Sequence, residues 1–201
     1  MVRLDRIYTR SGDNGQTSLG DGTRIDKTSL RIQAMGSVDE VNCHLGMAAS
    51  LTDDAKRRQF IEQIQQLLFD LGADLCTPVP DDAAADQCPR IGNRHIQWLE
   101  QQIDANNESL DPLTSFILPG GCSEAATLHL ARSVCRRSEL EFLRLATGPE
   151  AAGLNKQVGI FLNRLSDLLF VLGRRANQDG ANDILWSPDR TIPKEDNTNN
   201  Q

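Results

Sequence analysis

Three stretches of this chain repeat apolar residues at three- and four-residue steps, and that period leaves little room for anything but packed helices. Between about Asp53 and Cys76 the stripe is Phe60, Ile64, Leu67, Leu68, Leu71 and Leu75. Between about Leu154 and Gln178 it is Val158, Phe161, Leu162, Leu165, Leu169 and Leu172, and a shorter stripe of Ile96, Leu99 and Ile103 marks a helix from about Asn93 to Asn106. A fourth helix is expected from about Ser123, as N-cap, to Ala146, with Leu128, Ala131, Cys135, Phe142 and Leu145 turned inward and Gly148 and Pro149 as stop signals. The run SVDE reads as a capping box, Ser37 with Glu40, which would open a first helix from Ser37 to Ser50. Pro78 and Pro80 end the second helix, and the acidic, alanine-rich segment Val79 to Gly92 is expected to be a mobile loop. Five helices with little strand signal predict an all-α protein, a five-helix antiparallel bundle of ferritin-like type. One domain over residues 1–190 suits a chain of 201 residues, and the polar residues 191–201 are expected to be a disordered tail.

The segment Tyr8 to Gly22, YTRSGDNGQTSLGDG, is the opposite in character: four glycines, two serines and two threonines fall in fifteen residues. So polar a stretch is either a surface loop or a cradle of N–H and hydroxyl donors around an anion. It is neither a P-loop, since GxxxxGK(S/T) is absent and Lys27 comes nine residues after Ser18, nor a dinucleotide fingerprint, since GxGxxG is absent. On the fourth helix Arg132 and Arg136 are one turn apart, Glu139 returns to their side, and Arg137 lies on the flank. That face borders the apolar stripe, so it is either a salt-bridge ladder or a charged binding surface. Asp39, placed in the first turn of the first helix, could pair with an arginine of the fourth.

The net charge of -7, from 21 basic and 28 acidic residues, argues against a nucleic-acid partner recruited by bulk electrostatics. Five scattered cysteines without a CxxC pair, and no apolar N-terminal run, point to a reducing compartment, the cytoplasm. No run is long enough to span a bilayer. His44, His95 and His129 have no metal-ligand spacing and are expected to be structural. Glu40 and His44 are four apart, so the Glu-x-x-His motif of di-iron bundles is missing and no direct side-chain metal site is expected.

Taken in order, TRSGDNGQTSLGDGTRIDK, GSVDEVNCHLG, FILPGG, HLARSVCRRSELE and FLNRLSDLLFVLGR resemble the PduO-type ATP:cob(I)alamin (corrinoid) adenosyltransferases, over about Ile7 to Ala176. The resemblance implies transfer of the 5′-deoxyadenosyl group of ATP to the cobalt of cob(I)alamin, with Mg²⁺, in a homotrimer whose sites lie at subunit interfaces. It implies that Thr9, Arg10, Ser11, Gly12, Thr17, Ser18 and Lys27, within an ATP loop at about 8–27, meet the triphosphate. Arg136, Arg137, Glu139 and Asn163 would complete the ATP site. Asp39 and Arg132 would form an inter-helix ion pair beside the corrinoid, and Phe116 and Phe170 would face the lower corrin surface. Arg132, Arg136 and Asp39 would serve the reaction itself. A reductase or a cobalamin-dependent enzyme is a further implied partner. The chain departs from the family's CRRAER at CRRSEL, with Leu140 in place of a frequent arginine, which puts a contact from that position in doubt. Two other readings remain at this stage: a non-catalytic oligomer that binds a nucleotide or corrinoid, and an ordinary phosphotransferase, which the missing kinase and P-loop signatures disfavour.

Overall fold

The computed structural model describes residues 7–8, 10–80, 82 and 87–188. Five helices follow a short hairpin: β1 (Gln16–Ser18), β2 (Arg24–Asp26), α1 (Leu30–Leu51), α2 (Ala55–Cys76), α3 (Asn93–Asn107), α4 (Ser123–Thr147) and α5 (Gln157–Ala176). Consecutive helices alternate in direction, so α3 and α5 run parallel, and Arg164 and Arg175 of α5 reach Glu100 of α3 and Ser109 just beyond its end.

The apolar stripes form the core. Every member of the α5 stripe is buried, as are Ile64, Leu68, Leu71 and Leu75 of α2 and Leu128, Ala131, Cys135, Phe142 and Leu145 of α4. Phe60 and Leu67 sit at the rim, where Phe60 packs on Trp98 with ring centroids 5.7 Å apart. Truncating Phe161, at the centre, to alanine is expected to cost about 3–5 kcal/mol. Burial also pushes the Cys135 thiol pKa up, which leaves it an inert core group whose Sγ donates to Leu162 O at 3.3 Å.

The first helix begins seven residues earlier than the SVDE pattern predicts. Ser29 is its N-cap and accepts from the Ile32 N–H at 3.3 Å. Ser37 lies buried in the helix interior, where its hydroxyl donates to Ala34 O at 2.8 Å. Residues 30–35 are all tolerated in a helix, Gly36 does not break it, and a serine there can satisfy itself on the preceding turn. Asp39 therefore lies in the third turn. The α4 N-cap is Cys122 rather than Ser123, one residue off.

Of the acidic segment expected to be mobile, residues 81 and 83–86 lie outside the described residues, but its end is fixed. Asp74, 2% exposed, accepts from Arg90 Nη1 at 2.8 Å, the Ile91 N–H at 2.8 Å and Asn155 Nδ2 at 2.7 Å. A buried carboxylate satisfied three times over moors both flanking loops to the end of α2. The expected tail, 191–201, lies outside the described residues. Among the described residues no helix is long and apolar enough to cross a membrane.

The second half of the opening polar stretch enters a β-hairpin, which alternation of hydrophobicity could not announce. Gln16 pairs with Asp26 and Ser18 with Arg24, and Gly22 (φ +87°) turns the chain. The hairpin is tied to α2: the Gly20 N–H donates to Cys76 O at 2.8 Å, and a Cβ at Gly20 would lie 2.2 Å from Thr77 Oγ1. A side chain at Gly20 would have to displace the Thr77 hydroxyl before the two segments could meet.

A candidate active site in two halves

Expected site residues converge at three places. The first is a cavity of about 680 Å³ lined by Phe116, His129, Arg132, Phe170 and Trp186 among others. α4 supplies His129 and Arg132, three residues apart on one face, and α5 supplies Phe170. The segment around Phe116 is held by a strand-like return: the Leu118 N–H donates to Ile184 O at 2.8 Å, the Trp186 N–H to Phe116 O at 2.7 Å, and Ser115 Oγ to Trp186 O at 2.8 Å. Phe116 and Trp186 meet edge to face at 6.4 Å, and they are 80% and 49% exposed. Two aromatic rings held open to solvent in a chain this poor in aromatics mark an apolar binding surface.

His129 is 3% exposed and sits 6.0 Å from Phe170. Its ring occupies the space that a side chain at Gly173 would fill, since a Cβ there would be 2.9 Å away. Burial, followed by the nearby Arg132 charge, lowers its pKa, so the imidazole is neutral near pH 7. Arg132 is also desolvated, and its pKa is lowered by burial and then by Arg136. His129 Nδ1 and Arg132 Nε are buried with no hydrogen-bond partner, a cost that proteins seldom carry without a reason.

The second place is a cavity of about 690 Å³ on the outer face of α4 and α5, where Glu139 and Asn163 stand with Phe142, Lys156, Gly159 and Arg164. Asn163 Nδ2 donates to Glu139 Oε1 at 3.2 Å. Arg136 is exposed one turn beyond Arg132, so the polar face adjoins the aromatic cavity. Arg137 turns aside to pair with Glu40 of α1 and holds that carboxyl below its usual range. Leu140 is exposed and points away from the core.

The third place is the hairpin, which carries Thr17 and Ser18 and is followed by Lys27, together with the turn before it, which carries Arg10, Ser11 and Gly12. Arg24 stitches it together, with Nη1 donating to Ser18 Oγ at 3.1 Å and Nη2 to Ser11 O at 3.0 Å. The Lys27 N–H donates to Gly15 O at 2.9 Å, and its ammonium lies over Gly12, where a Cβ would be 2.9 Å from Nζ. Thr9 lies outside the described residues.

Asp39 and Arg132 do not meet within one chain. α1 and α4 are antiparallel and Glu40 faces Arg137, so Arg132 is about six residues, or ~9 Å, further along α4. Asp39 instead borders a groove between α1 and α2 with Met35, Phe69 and Gly72, and Phe69 is 68% exposed. The expected ion pair is therefore absent from the single subunit.

Among the described residues no group of three or more His, Cys, Asp and Glu could hold a metal ion. Sequence reasoning missed Trp186, Arg24 and Arg164 and read His129 as structural only. His129 is buried as a structural histidine would be, yet its spacing to Arg132 puts both on one helix face, a signal that was available. Trp186 gave none, because its partner lies 70 residues away in the sequence.

The sequence profile of the cobalamin adenosyltransferase family matches residues 7–176. A corrinoid adenosyltransferase of Mycobacterium leprae (strain TN) is 45% identical over 190 residues, spanning 93% of this chain and 98% of that one. A cobalamin adenosyltransferase of Cupriavidus metallidurans is 43% identical over 192 residues, with 94% and 97% covered. Among solved structures, a variant of the PduO-type ATP:corrinoid adenosyltransferase of Lactobacillus reuteri, complexed with cobalamin and ATP, matches with a TM-score of 0.81 at 36% identity, over 90% of this chain and 99% of that one.

Proposed function

Because the chain belongs to the cobalamin adenosyltransferase family, we propose that it transfers the 5′-deoxyadenosyl group of ATP to the cobalt of cob(I)alamin and releases triphosphate. The observation that carries this reading is the junction on α4. Arg132 lines the aromatic cavity, and Arg136 opens the polar face one turn, about 6 Å, away. A corrinoid in the first and a nucleotide on the second would bring cobalt and C5′ together.

The reaction asks little of acid–base chemistry. The Co(I) electron pair forms the Co–C5′ bond while the C5′–O bond breaks and its electrons leave with the triphosphate. In-line placement and stabilisation of the departing charge are what lower the barrier. Arg136, Lys27, and the N–H and hydroxyl groups of Arg10, Ser11, Gly12, Thr17 and Ser18 would supply that stabilisation, and the family resemblance adds Thr9 to the set. Arg137, Glu139 and Asn163 would hold the rest of the nucleotide. Mg²⁺ fits this donor set as a cation carried on the phosphates, with Glu139 the carboxylate at hand, because such an ion needs only one or two protein ligands. Phe116 and Phe170 would keep water and the lower axial base off the corrin face, which favours reduction to Co(I). His129 would share that wall as a neutral group.

Asp39 and Arg132 sit too far apart in one chain, and the hairpin is moored on α2 while its arginine partners lie on α4. Both observations support a homotrimer in which one subunit's loop and Asp39 complete the site of the next. The groove holding Asp39 and exposed Phe69 suits such a contact. A reductase that supplies the electron, or a cobalamin-dependent enzyme that takes the product, would be the protein partner. Five scattered cysteines without a CxxC pair suit the cytoplasm.

The test is incubation of purified protein with ATP, Mg²⁺ and chemically reduced cobalamin. A light-sensitive cobalt–carbon product with one triphosphate per turnover is expected. ATP binding without product would leave only a nucleotide-binding oligomer, and ADP as product would indicate a phosphotransferase.

A further inference from the structure

Asn163 is the middle of a hydrogen-bonded line that crosses three helices. Glu100 of α3 accepts from Arg164 Nε at 2.9 Å. Arg164 Nη1 donates to Asn163 Oδ1 at 2.7 Å. Asn163 Nδ2 donates to Glu139 Oε1 of α4 at 3.2 Å. We propose that Arg164, anchored on Glu100, is a positioning residue for the nucleotide site: it fixes the amide orientation of Asn163 and, through it, the carboxylate of Glu139.

The chemistry of the two ends leaves one arrangement. A guanidinium only donates and a carboxylate only accepts, so the amide oxygen must face Arg164 and the amide nitrogen must face Glu139. The flipped amide would set N–H against N–H on one side and oxygen against carboxylate on the other. The fixed orientation leaves one Asn163 N–H, the second lone pair of Oδ1 and the second Glu139 oxygen for a ligand in the cavity that all three residues line.

Glu100 explains why this works between neighbours in sequence. Side chains at i and i+1 diverge by about 100° around a helix and do not ordinarily face each other. The bond to α3 holds the Arg164 head so that its free nitrogen turns back onto Asn163. The parallel run of α3 and α5 brings Glu100 level with Arg164. The Arg164–Glu100 pair is partly exposed and contributes little to stability by itself. Its effect is on the fraction of molecules whose amide is competent to bind, and apparent affinity falls in proportion to that fraction.

This inference rests on the ATP-binding role proposed for Asn163 and Glu139. Steady-state kinetics of Arg164→Met, Arg164→Lys, Asn163→Ala and the double variant Arg164→Met/Asn163→Ala test it. Arg164→Met should raise KM for ATP by about tenfold, with kcat at saturating ATP and KM for cob(I)alamin unchanged. Arg164→Lys, which keeps a donor, should recover most of the loss. The double variant should be no worse than Asn163→Ala alone. Glu100→Ala, at a partly exposed position, should give a smaller rise of about two- to threefold and serves as the second variant should Arg164→Met fold poorly. Fully additive effects, or a normal KM for Arg164→Met alongside a raised one for Asn163→Ala, would overturn the positioning role. A normal KM for Asn163→Ala would overturn the ATP assignment beneath it and the inference with it.

Discussion

The aromatic cavity and the polar surface proposed for the nucleotide are assembled in different ways. The aromatic groups Phe116, Phe170 and Trp186 all come from one chain, held by the backbone pairing of 116–118 with 184–186. The charged groups are split: Lys27 and the hydroxyls ride on a hairpin fastened to α2, while Arg136, Glu139 and Asn163 stand on α4 and α5. An apolar surface can be prepared in advance because burial is non-directional. A triphosphate cradle built in advance would hold like charges together with nothing between them, and the division proposed for this site would avoid that repulsion.

The largest expected effect lies on the polar side. Arg136→Ala should lower kcat/KM by about 10²–10³-fold, the usual loss when one preorganised donor to a departing anion is removed. Arg137→Ala, whose guanidinium is already paired with Glu40, should do less. Equal losses would show that Arg136 has no privileged place beside the cavity.

On the apolar side the expected signature is a difference between assays. Phe116→Ala should impair turnover more when Co(II) must be reduced on the protein than when Co(I) is supplied free. Trp186→Ala should show the same asymmetry, less strongly, because it acts through the edge-to-face contact and the backbone clamp. Equal defects in both assays would remove the axial-ligand role from this cavity.

Much of this architecture was legible in the sequence, for reasons visible in particular residues. Ile64, Leu68, Leu71 and Leu75 repeat at helical spacing, and the same spacing turned them inward. Arg132 and Arg136 were placed on one face by arithmetic alone. The hairpin was hidden because its two strands are three residues each and carry no apolar alternation. The start of α1 was misread because SVDE satisfies a capping pattern inside a helix as readily as at its end. Trp186 and Arg164 act through partners on other elements, and a single sequence does not report such meetings.

A subtler prediction concerns how the hairpin is held. Gly20→Ala should force the hairpin off the end of α2, since its new Cβ would collide with Thr77. KM for ATP should rise several-fold, the scale of one weakened hydrogen bond, while corrinoid binding stays normal. A change in corrinoid affinity instead would mean that the hairpin also serves the apolar side.

The smallest effect is a pH dependence within the cavity. The His129 pKa is lowered by burial and then by Arg132, from an ordinary value of 6.5. The unfolded chain therefore binds a proton that the folded chain disfavours. This contribution to stability is complete above pH 6.5 and is lost as pH falls from there toward the folded value. Melting temperatures from pH 8 down to pH 5 should fall less steeply for His129→Asn than for the unsubstituted protein, and parallel curves would count against a buried neutral imidazole.

The proposed division of the site between subunits can be tested by complementation. Lys27→Ala and Arg136→Ala chains, each inactive alone, are co-expressed with different tags, and mixed oligomers are purified. If the loop of one subunit serves the arginine face of the next, one site in three of each mixed trimer carries both intact halves, and activity returns to about a third of the unsubstituted level. If each chain supplies its own loop and its own arginine, every site carries one lesion, and mixed oligomers as inactive as their parents would contradict the account.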